Sequence, residues 1–151
     1  MYPEEIVKPM KLELTNSGFS ELTSSEDVKS ALDKEGTTLI VVNSVCGCAA
    51  GNARPAVKLA ATFDKRPEVF ATVFAGQDIG ASDKARVYMA PFPPSSPSIA
   101  IFNNGNLVHF IDSTSYLSEI GSKEIIHGEK DYNHFNKDGY KYLANWLFTK
   151  H

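Results

Sequence analysis

The sequence has only two cysteines among its 151 residues, too few for the disulfide framework of a small secreted domain. No apolar stretch approaches the length of about 20 residues that a membrane-spanning helix needs. Basic residues are not in excess, since 15 Lys and Arg stand against 18 Asp and Glu, and the formal net charge is −3. There is therefore no electrostatic case for binding to nucleic acid or to an anionic membrane.

Internal repeats and low-complexity segments are also absent from the sequence. The N-terminus, Met-Tyr-Pro-Glu-Glu, has neither the basic nor the apolar region of a signal peptide. A chain of this length can bury most of its apolar surface in one core, so we expect residues 1–151 to form a single domain. We expect a cytoplasmic protein, because neighbouring cysteines inside the cell are more typical of redox catalysis than of a structural disulfide.

The two cysteines lie one residue apart, in Cys46-Gly47-Cys48, between an apolar strand at 39–43 and a helical pattern at 49–63. A thiol at such a junction faces the N–H groups of the helix N-terminus, whose partial positive charge favours the nucleophilic thiolate. Closing a disulfide over this spacing requires an irregular turn, which Gly47 permits, and leaves a strained, easily reduced bond. The pair therefore indicates catalytic thiol–disulfide chemistry.

Two other interpretations of the cysteine pair stay open. One is a pair of buried thiols that pack as small apolar side chains. The other is a non-catalytic metal-binding module, although two thiolates make only half a zinc site and no second cysteine pair exists. We expect neither a metal ion nor a resident cofactor, because the four histidines show no recognisable ligand spacing: His109, His127, His134 and His151.

The rest of the pattern alternates helices with strands. Asn103-Asn104-Gly105-Asn106 is a strong hairpin signal between the last two expected strands. The order predicts an α/β fold, a mixed sheet that ends in a β-hairpin and carries helices on both faces. We expect helices at 4–14, from about 24 to 34, at 49–63 with a kink at Pro55 and at 81–88, and strands at 39–43, 69–74, 98–102 and 107–111.

Pro97 is the second informative residue. It stands at the start of an expected strand, where a missing N–H is tolerated. Beside a reactive cysteine we interpret it as part of a cis Ser96–Pro97 peptide bond, with a simple loop terminator as the alternative.

The most specific motif spans 41–51, Val-Val-Asn-Ser-Val-Cys-Gly-Cys-Ala-Ala-Gly, with Arg54-Pro55 after it. Together with 74–78, 94–98 and 107–111, this motif resembles the bacilliredoxin family over roughly residues 1–111. The resemblance implies a thioredoxin-like fold and a thiol–disulfide oxidoreductase. The implied substrates are protein mixed disulfides with the small thiol bacillithiol, which acts as a co-substrate.

The same resemblance implies a role for each site residue. Cys46 attacks the mixed disulfide, and Cys48 or a second low-molecular-weight thiol regenerates it. The implied substrate-binding residues are Asn43, Gly47, Ser96 and Pro97. General protein disulfide isomerase or reductase activity is the alternative within the same chemistry.

Residues 112–151 depart from this family. The string at 131–140, Asp-Tyr-Asn-His-Phe-Asn-Lys-Asp-Gly-Tyr, resembles the last block of the SGNH (GDSL-type) esterases, where an Asp and a His three residues later complete a catalytic triad. The Gly-Asp-Ser block of those esterases is absent from the sequence, so His134 has no serine to activate. We expect an atypical segment without hydrolase activity that ends in a helix from about Asp138.

Overall fold

The computed structural model describes residues 1–112 in full and the backbone of two short strands beyond them, at 127–128 and 131–135. No helix of this described part is long and apolar enough to cross a membrane. In chain order the elements are α1 (Glu4–Thr15), β1 (Ser20–Glu21), α2 (Ser25–Leu32), β2 (Thr37–Asn43), a π-helical turn (Ala49–Ala53), α3 (Arg54–Ala60), β3 (Val69–Phe74), α4 (Ile79–Tyr88), β4 (Ser98–Asn103), β5 (Asn106–Asp112), β6 (His127–Gly128) and β7 (Asp131–Phe135).

The strands β1 to β5 form one mixed sheet in the order β1-β3-β2-β4-β5. The central strand β2 runs parallel to β3 and antiparallel to β4, so Val42 lies between Val73 and Ser98. On the outside, β1 is parallel to β3 and β5 is antiparallel to β4. The carboxyl end of β2 therefore meets the carboxyl end of β3 and the beginning of β4 at one edge of the sheet.

Side chains of β2 enter two apolar layers in turn, because successive residues of a strand point to opposite faces. Leu39 and Val41 pack with residues of α1 and α3, whereas Ile40 and Val42 pack with residues of α2 and α4. All four side chains are fully buried. Helices on both faces explain why β2 is a continuous apolar run, and they confirm the predicted α/β layering.

The helix that follows the cysteines differs from the single kinked helix expected over 49–63. A π-helical turn at Ala49–Ala53 precedes α3, and the Arg54 N–H donates to the carbonyl of Ala49. Pro55 explains the wide turn, because it has no N–H to donate to residue 51 and its ring crowds that carbonyl. The irregularity predicted for Pro55 therefore lies in the turn before it, and the helix ends at Ala60.

The predicted hairpin between β4 and β5 is confirmed. It turns through Asn104 and Gly105, whose φ angles are 50° and 77°. Positive φ at both central residues is what a type I′ turn requires, and Asn-Gly is its favoured sequence. The two strands are slightly longer than expected, and α2 ends at Leu32 rather than near residue 34.

The expected single domain over 1–151 stays a prediction, because most of 112–151 lies outside the described residues. The predicted terminal helix is among these residues. Asp131 and His134 fall in β7, which pairs antiparallel with β6. The backbone of β7 also comes within 8 Å, between Cα atoms, of the π-helical turn at Ala49–Ala53.

Candidate active site

The Cys46-Gly47-Cys48 loop leaves the carboxyl end of β2 and leads into the π-helical turn. Both cysteines are free thiols. Cys46 and Gly47 are exposed, whereas Cys48 is half-buried. This is the position that the sequence predicts for the pair, with the first thiol in solvent and the second further into the helical segment.

Backbone N–H groups of the following turn bond both the sulfur and the carbonyl of Cys46. The Cys48 N–H donates to the Cys46 Sγ at 3.3 Å, and the N–H groups of Ala49 and Ala50 donate to the Cys46 carbonyl at 2.9 and 3.3 Å. The hydrogen bond from the Cys48 backbone is the main cause that lowers the pKa of Cys46 below its ordinary value. Bonds from the Cys48 side chain and the Ala49 backbone act in the same direction, and partial burial opposes them.

The second thiol has the opposite electrostatic environment. Burial raises the pKa of Cys48, and its hydrogen bond and charge interaction with Cys46 raise it further. Cys46 therefore loses its proton first, while Cys48 keeps its proton and donates toward the Cys46 sulfur. This asymmetry is what a nucleophile with a second, resolving thiol requires.

Asn43 lies beneath the loop rather than on its surface. Its side chain is 0% exposed. Its Oδ1 accepts the Ser44 N–H at 2.9 Å, and its Nδ2 donates to the Met10 carbonyl at 3.2 Å. Ser44 Oγ in turn accepts the Cys46 N–H at 3.3 Å. In this structure the buried Asn43 amide supports the loop from below, and its expected role in substrate binding stays a prediction.

Arg54 is a site residue whose role the sequence did not indicate. It is 3% exposed, and its guanidinium lies below the same loop. Nη1 donates to Asn43 Oδ1 at 3.0 Å and to the Ser44 carbonyl at 3.1 Å, while Nε donates to Glu13 Oε2 at 2.8 Å. The available signal was an arginine among small and apolar residues at the start of a helix, because a buried guanidinium must find acceptors.

The Ser96–Pro97 peptide bond is cis, as the sequence predicts. Pro97 directly precedes β4, and Ser98 pairs with Val42 near the carboxyl end of β2. The cis bond and the cysteine loop therefore belong to the same edge of the sheet. Ser96 is exposed and Pro97 is half-buried. A second cis bond, Ala90–Pro91, was not predicted.

The described residues do not assemble a metal centre. Among them, no group of three or more His, Cys, Asp or Glu side chains is arranged to hold an ion. Of the four histidines that the sequence offered, only the side chain of His109 lies in this part. The chemistry that the described site supports is that of the two thiols.

The chain is similar to proteins of known family over most of its length. A family model described as disulphide isomerase matches residues 2–130, beyond residue 111, where the sequence resemblance ends. The chain is 57% identical over 112 residues to a bacilliredoxin of Cytophaga hutchinsonii, an alignment that covers 74% of this chain and 83% of that protein. It is 54% identical over 111 residues to a bacilliredoxin of Halalkalibacterium halodurans, covering 73% and 77%.

Solved structures agree on the fold. A structure described as having a thioredoxin fold superposes with a TM-score of 0.55 at 18% identity and covers 62% of this chain and 80% of that one. The thioredoxin of Trypanosoma brucei brucei gives a TM-score of 0.50 at 22% identity, with 62% and 77% covered. On its relatives, its fold and its cysteine pair, the chain belongs to the bacilliredoxin family of thioredoxin-like thiol–disulfide oxidoreductases.

Proposed function

We propose that this protein removes bacillithiol from protein mixed disulfides, with Cys46 as the nucleophile. The observation that carries the proposal is the 3.3 Å hydrogen bond from the Cys48 N–H to the Cys46 Sγ, at an exposed thiol. A sulfur that accepts this bond carries negative charge more readily than an ordinary cysteine. The names of the relatives support the choice of bacillithiol as the small thiol.

The first step is an exchange of one disulfide for another. The Cys46 thiolate attacks the bacillithiol sulfur of the mixed disulfide and forms a new bond to it. The bond to the substrate protein breaks, and that cysteine leaves as a thiolate, which takes a proton from water. No net oxidation occurs, since one disulfide and one thiol are present before and after the step.

Two routes regenerate the enzyme. In one, a second bacillithiol thiolate attacks the bacillithiol sulfur on Cys46, releasing the bacillithiol disulfide and the free Cys46 thiolate. In the other, Cys48 loses its proton and attacks the Cys46 sulfur, which expels bacillithiol and leaves a Cys46–Cys48 disulfide for a thiol reductant to open. Burial, the largest cause of the raised pKa of Cys48, slows this second route until a base takes the Cys48 proton.

The other residues at this edge would bind rather than react. The backbone of Ser96, an exposed residue next to the cis bond to Pro97, would pair with the substrate backbone beside its sulfur. Gly47 would leave room for that approach, because it has no side chain between the two thiols. Asn43 would support the loop from below. We place the reaction in the cytoplasm, where low-molecular-weight thiols keep cysteines reduced.

General protein disulfide isomerase or reductase activity is the second candidate. It is favoured by the description of the family model that matches residues 2–130. The same thiolate would then attack protein–protein disulfides, and the two candidates differ only in what is bonded to the attacked sulfur.

The test uses a substrate protein loaded with bacillithiol and the Cys48→Ser variant. We expect mass spectrometry to find one bacillithiol on Cys46 and an equal amount of freed protein thiol. The Cys46→Ser variant, which keeps Cys48, is the matched control and should take up no bacillithiol. If Cys48→Ser forms no adduct and its Cys46 ignores other small disulfides, the oxidoreductase proposal is wrong. Equal rates with glutathione-loaded protein would favour the general reductase instead.

A further inference from the structure

Arg54 is buried under the cysteine loop, yet the proposed reaction gives it no chemical step. Removing a guanidinium from water is unfavourable, and an apolar side chain would fill the same space with less desolvation. The pairing of Arg54 with Glu13 reaches across 41 positions of sequence, from α3 to α1. A buried charge paired over this distance indicates a positional role.

A chain of hydrogen bonds links the guanidinium of Arg54 to the backbone of Cys46. Nη1 of Arg54 donates to the side-chain Oδ1 of Asn43 and to the backbone carbonyl of Ser44, two residues before Cys46. Ser44 is itself buried, and its Oγ accepts the N–H of Cys46. Two fixed contacts therefore stand between the guanidinium and the backbone of the reactive cysteine.

The π-helical turn brings Arg54 to this position. Because the Arg54 N–H bonds to Ala49, five residues earlier, the backbone makes a wider turn than an α-helix at this point. Asn52, Ala53 and Ala56 on either side of Arg54 are also buried, whereas Ala50 at the start of the turn is exposed. A wide turn at this point is a recurrent feature of functional sites.

We propose that Arg54 is a positioning residue for Cys46. Its guanidinium holds the Asn43 side chain and the Ser44 backbone so that the Cys46 sulfur stays beside the Cys48 N–H. The inference rests on the proposed function, because it takes Cys46 as the nucleophile.

The planar fork of the guanidinium carries this role, rather than its charge alone. Three acceptors surround Arg54, on Glu13, Asn43 and Ser44, and they are met by two different nitrogens of one rigid plane. A lysine ammonium is a single point that cannot occupy both nitrogen positions. Without the fork, the buried Ser44 carbonyl loses a donor and the loop relaxes toward water to recover one.

The experiment compares Arg54→Met, which removes charge and fork, with Arg54→Lys, which keeps the charge. Both are made in the Cys48→Ser background, so that only Cys46 reacts. Arg66→Met is the matched control, because exposed Arg66 donates, within the described part of the chain, to the Ala61 carbonyl away from the cysteine loop. The readouts are the pH profile of Cys46 alkylation by iodoacetamide and the thermal midpoint of unfolding.

We expect both Arg54 variants to shift the alkylation profile to higher pH and to slow alkylation at pH 7 by about three- to tenfold. Arg66→Met should leave the profile unchanged. Should Arg54→Met not fold, Ser44→Ala removes the acceptor of the Cys46 N–H and should shift the profile in the same direction.

Two outcomes would overturn the proposal. In the first, the variants melt earlier but Cys46 reacts as in the parent protein, which makes Arg54 a structural residue only. In the second, Arg54→Lys matches the parent, which assigns the effect to charge and not to position. Neither outcome depends on bacillithiol, so a failure here is distinct from a missing adduct in the test of the proposed function.

Discussion

The backbone N–H of Cys48 points at the sulfur of Cys46 across 3.3 Å, so the second cysteine stabilises the charge of the first before any chemistry takes place. One residue thus contributes in two ways, through its N–H as a hydrogen-bond donor and through its thiol as a second donor. The two thiols also differ in exposure, since Cys46 lies in solvent and Cys48 is half-buried.

The two thiols should titrate in a fixed order. The pKa of Cys46 is lowered and that of Cys48 is raised, so the Cys46 thiolate forms at a lower pH. As the pH rises, alkylation of Cys46 in Cys48→Ser should therefore reach half its maximum before alkylation of Cys48 in Cys46→Ser. Iodoacetamide rates between pH 5 and 10, followed by mass, measure both curves; the reverse order would contradict the assignment of the nucleophile.

Replacing Cys48 should raise the pKa of Cys46 by an amount that depends on the new side chain. Cys48→Ala removes the side-chain donor and should raise the pKa of Cys46, whereas Cys48→Ser keeps a hydroxyl donor and should raise it less. In both variants the backbone N–H of residue 48 remains, and it is the largest cause of the lowered pKa. The Cys46 pKa should therefore stay below its ordinary value of 9.0. Thiolate absorbance near 240 nm during titration reports this directly, and a return to 9.0 in Cys48→Ala would be inconsistent with the backbone bond.

Lys11 should stabilise the protein only below strongly alkaline pH. Its Nζ lies 2.7 Å from carboxylate oxygens of both Glu21 and Asp78. Burial tends to lower the pKa of Lys11, but the hydrogen bonds and charges of the two carboxylates outweigh it and raise the pKa above 10.5. The stabilisation is therefore complete below 10.5 and is lost as pH rises through the raised value.

The variant that tests this is Lys11→Met, with exposed Lys34→Met as its control. At pH 8 we expect Lys11→Met to lower the free energy of unfolding by about 1 kcal/mol. The difference from the parent should shrink as the pH rises above 10.5, whereas Lys34→Met should have little effect throughout. Urea unfolding at each pH gives the values, and a difference that does not change with pH would exclude Lys11 ionisation as its source.

Gly105 should tolerate substitution less well than Gly18. Both have positive φ, at 77° and 93°, so a side chain at either position strains the backbone. A Cβ at Gly105 would also meet the Leu32 carbonyl at 2.7 Å, whereas one at Gly18 would meet no atom within 4 Å. Gly18→Ala should cost about 1 kcal/mol, and Gly105→Ala distinctly more. Thermal or urea unfolding of the pair checks the order, and equal losses would mean that the hairpin shifts to avoid the contact.

Much of the sheet could be predicted because its signals are local. The strand at 69–74 was placed correctly from its apolar and branched residues, and the β4–β5 turn from an Asn-Gly pair. The helix after Cys48 was only partly predictable. Residue pattern indicated a helix over 49–63, but whether Pro55 kinks it or widens the turn before it depends on what the displaced backbone can contact.

The position of the reactive thiols follows from sequence alone, because a strand, two cysteines around a glycine and a helical pattern are adjacent in the chain. The family follows from sequence as well, since the motif around Cys46 is contiguous. What holds that loop in place depends instead on tertiary packing. Asn43 was expected to bind substrate but is fully buried at the end of its strand, and Arg54 pairs with Glu13 from 41 positions away. The Arg54–Glu13 pair requires α1 and α3 to pack together, and no local pattern of residues encodes the acceptors that a buried guanidinium will find.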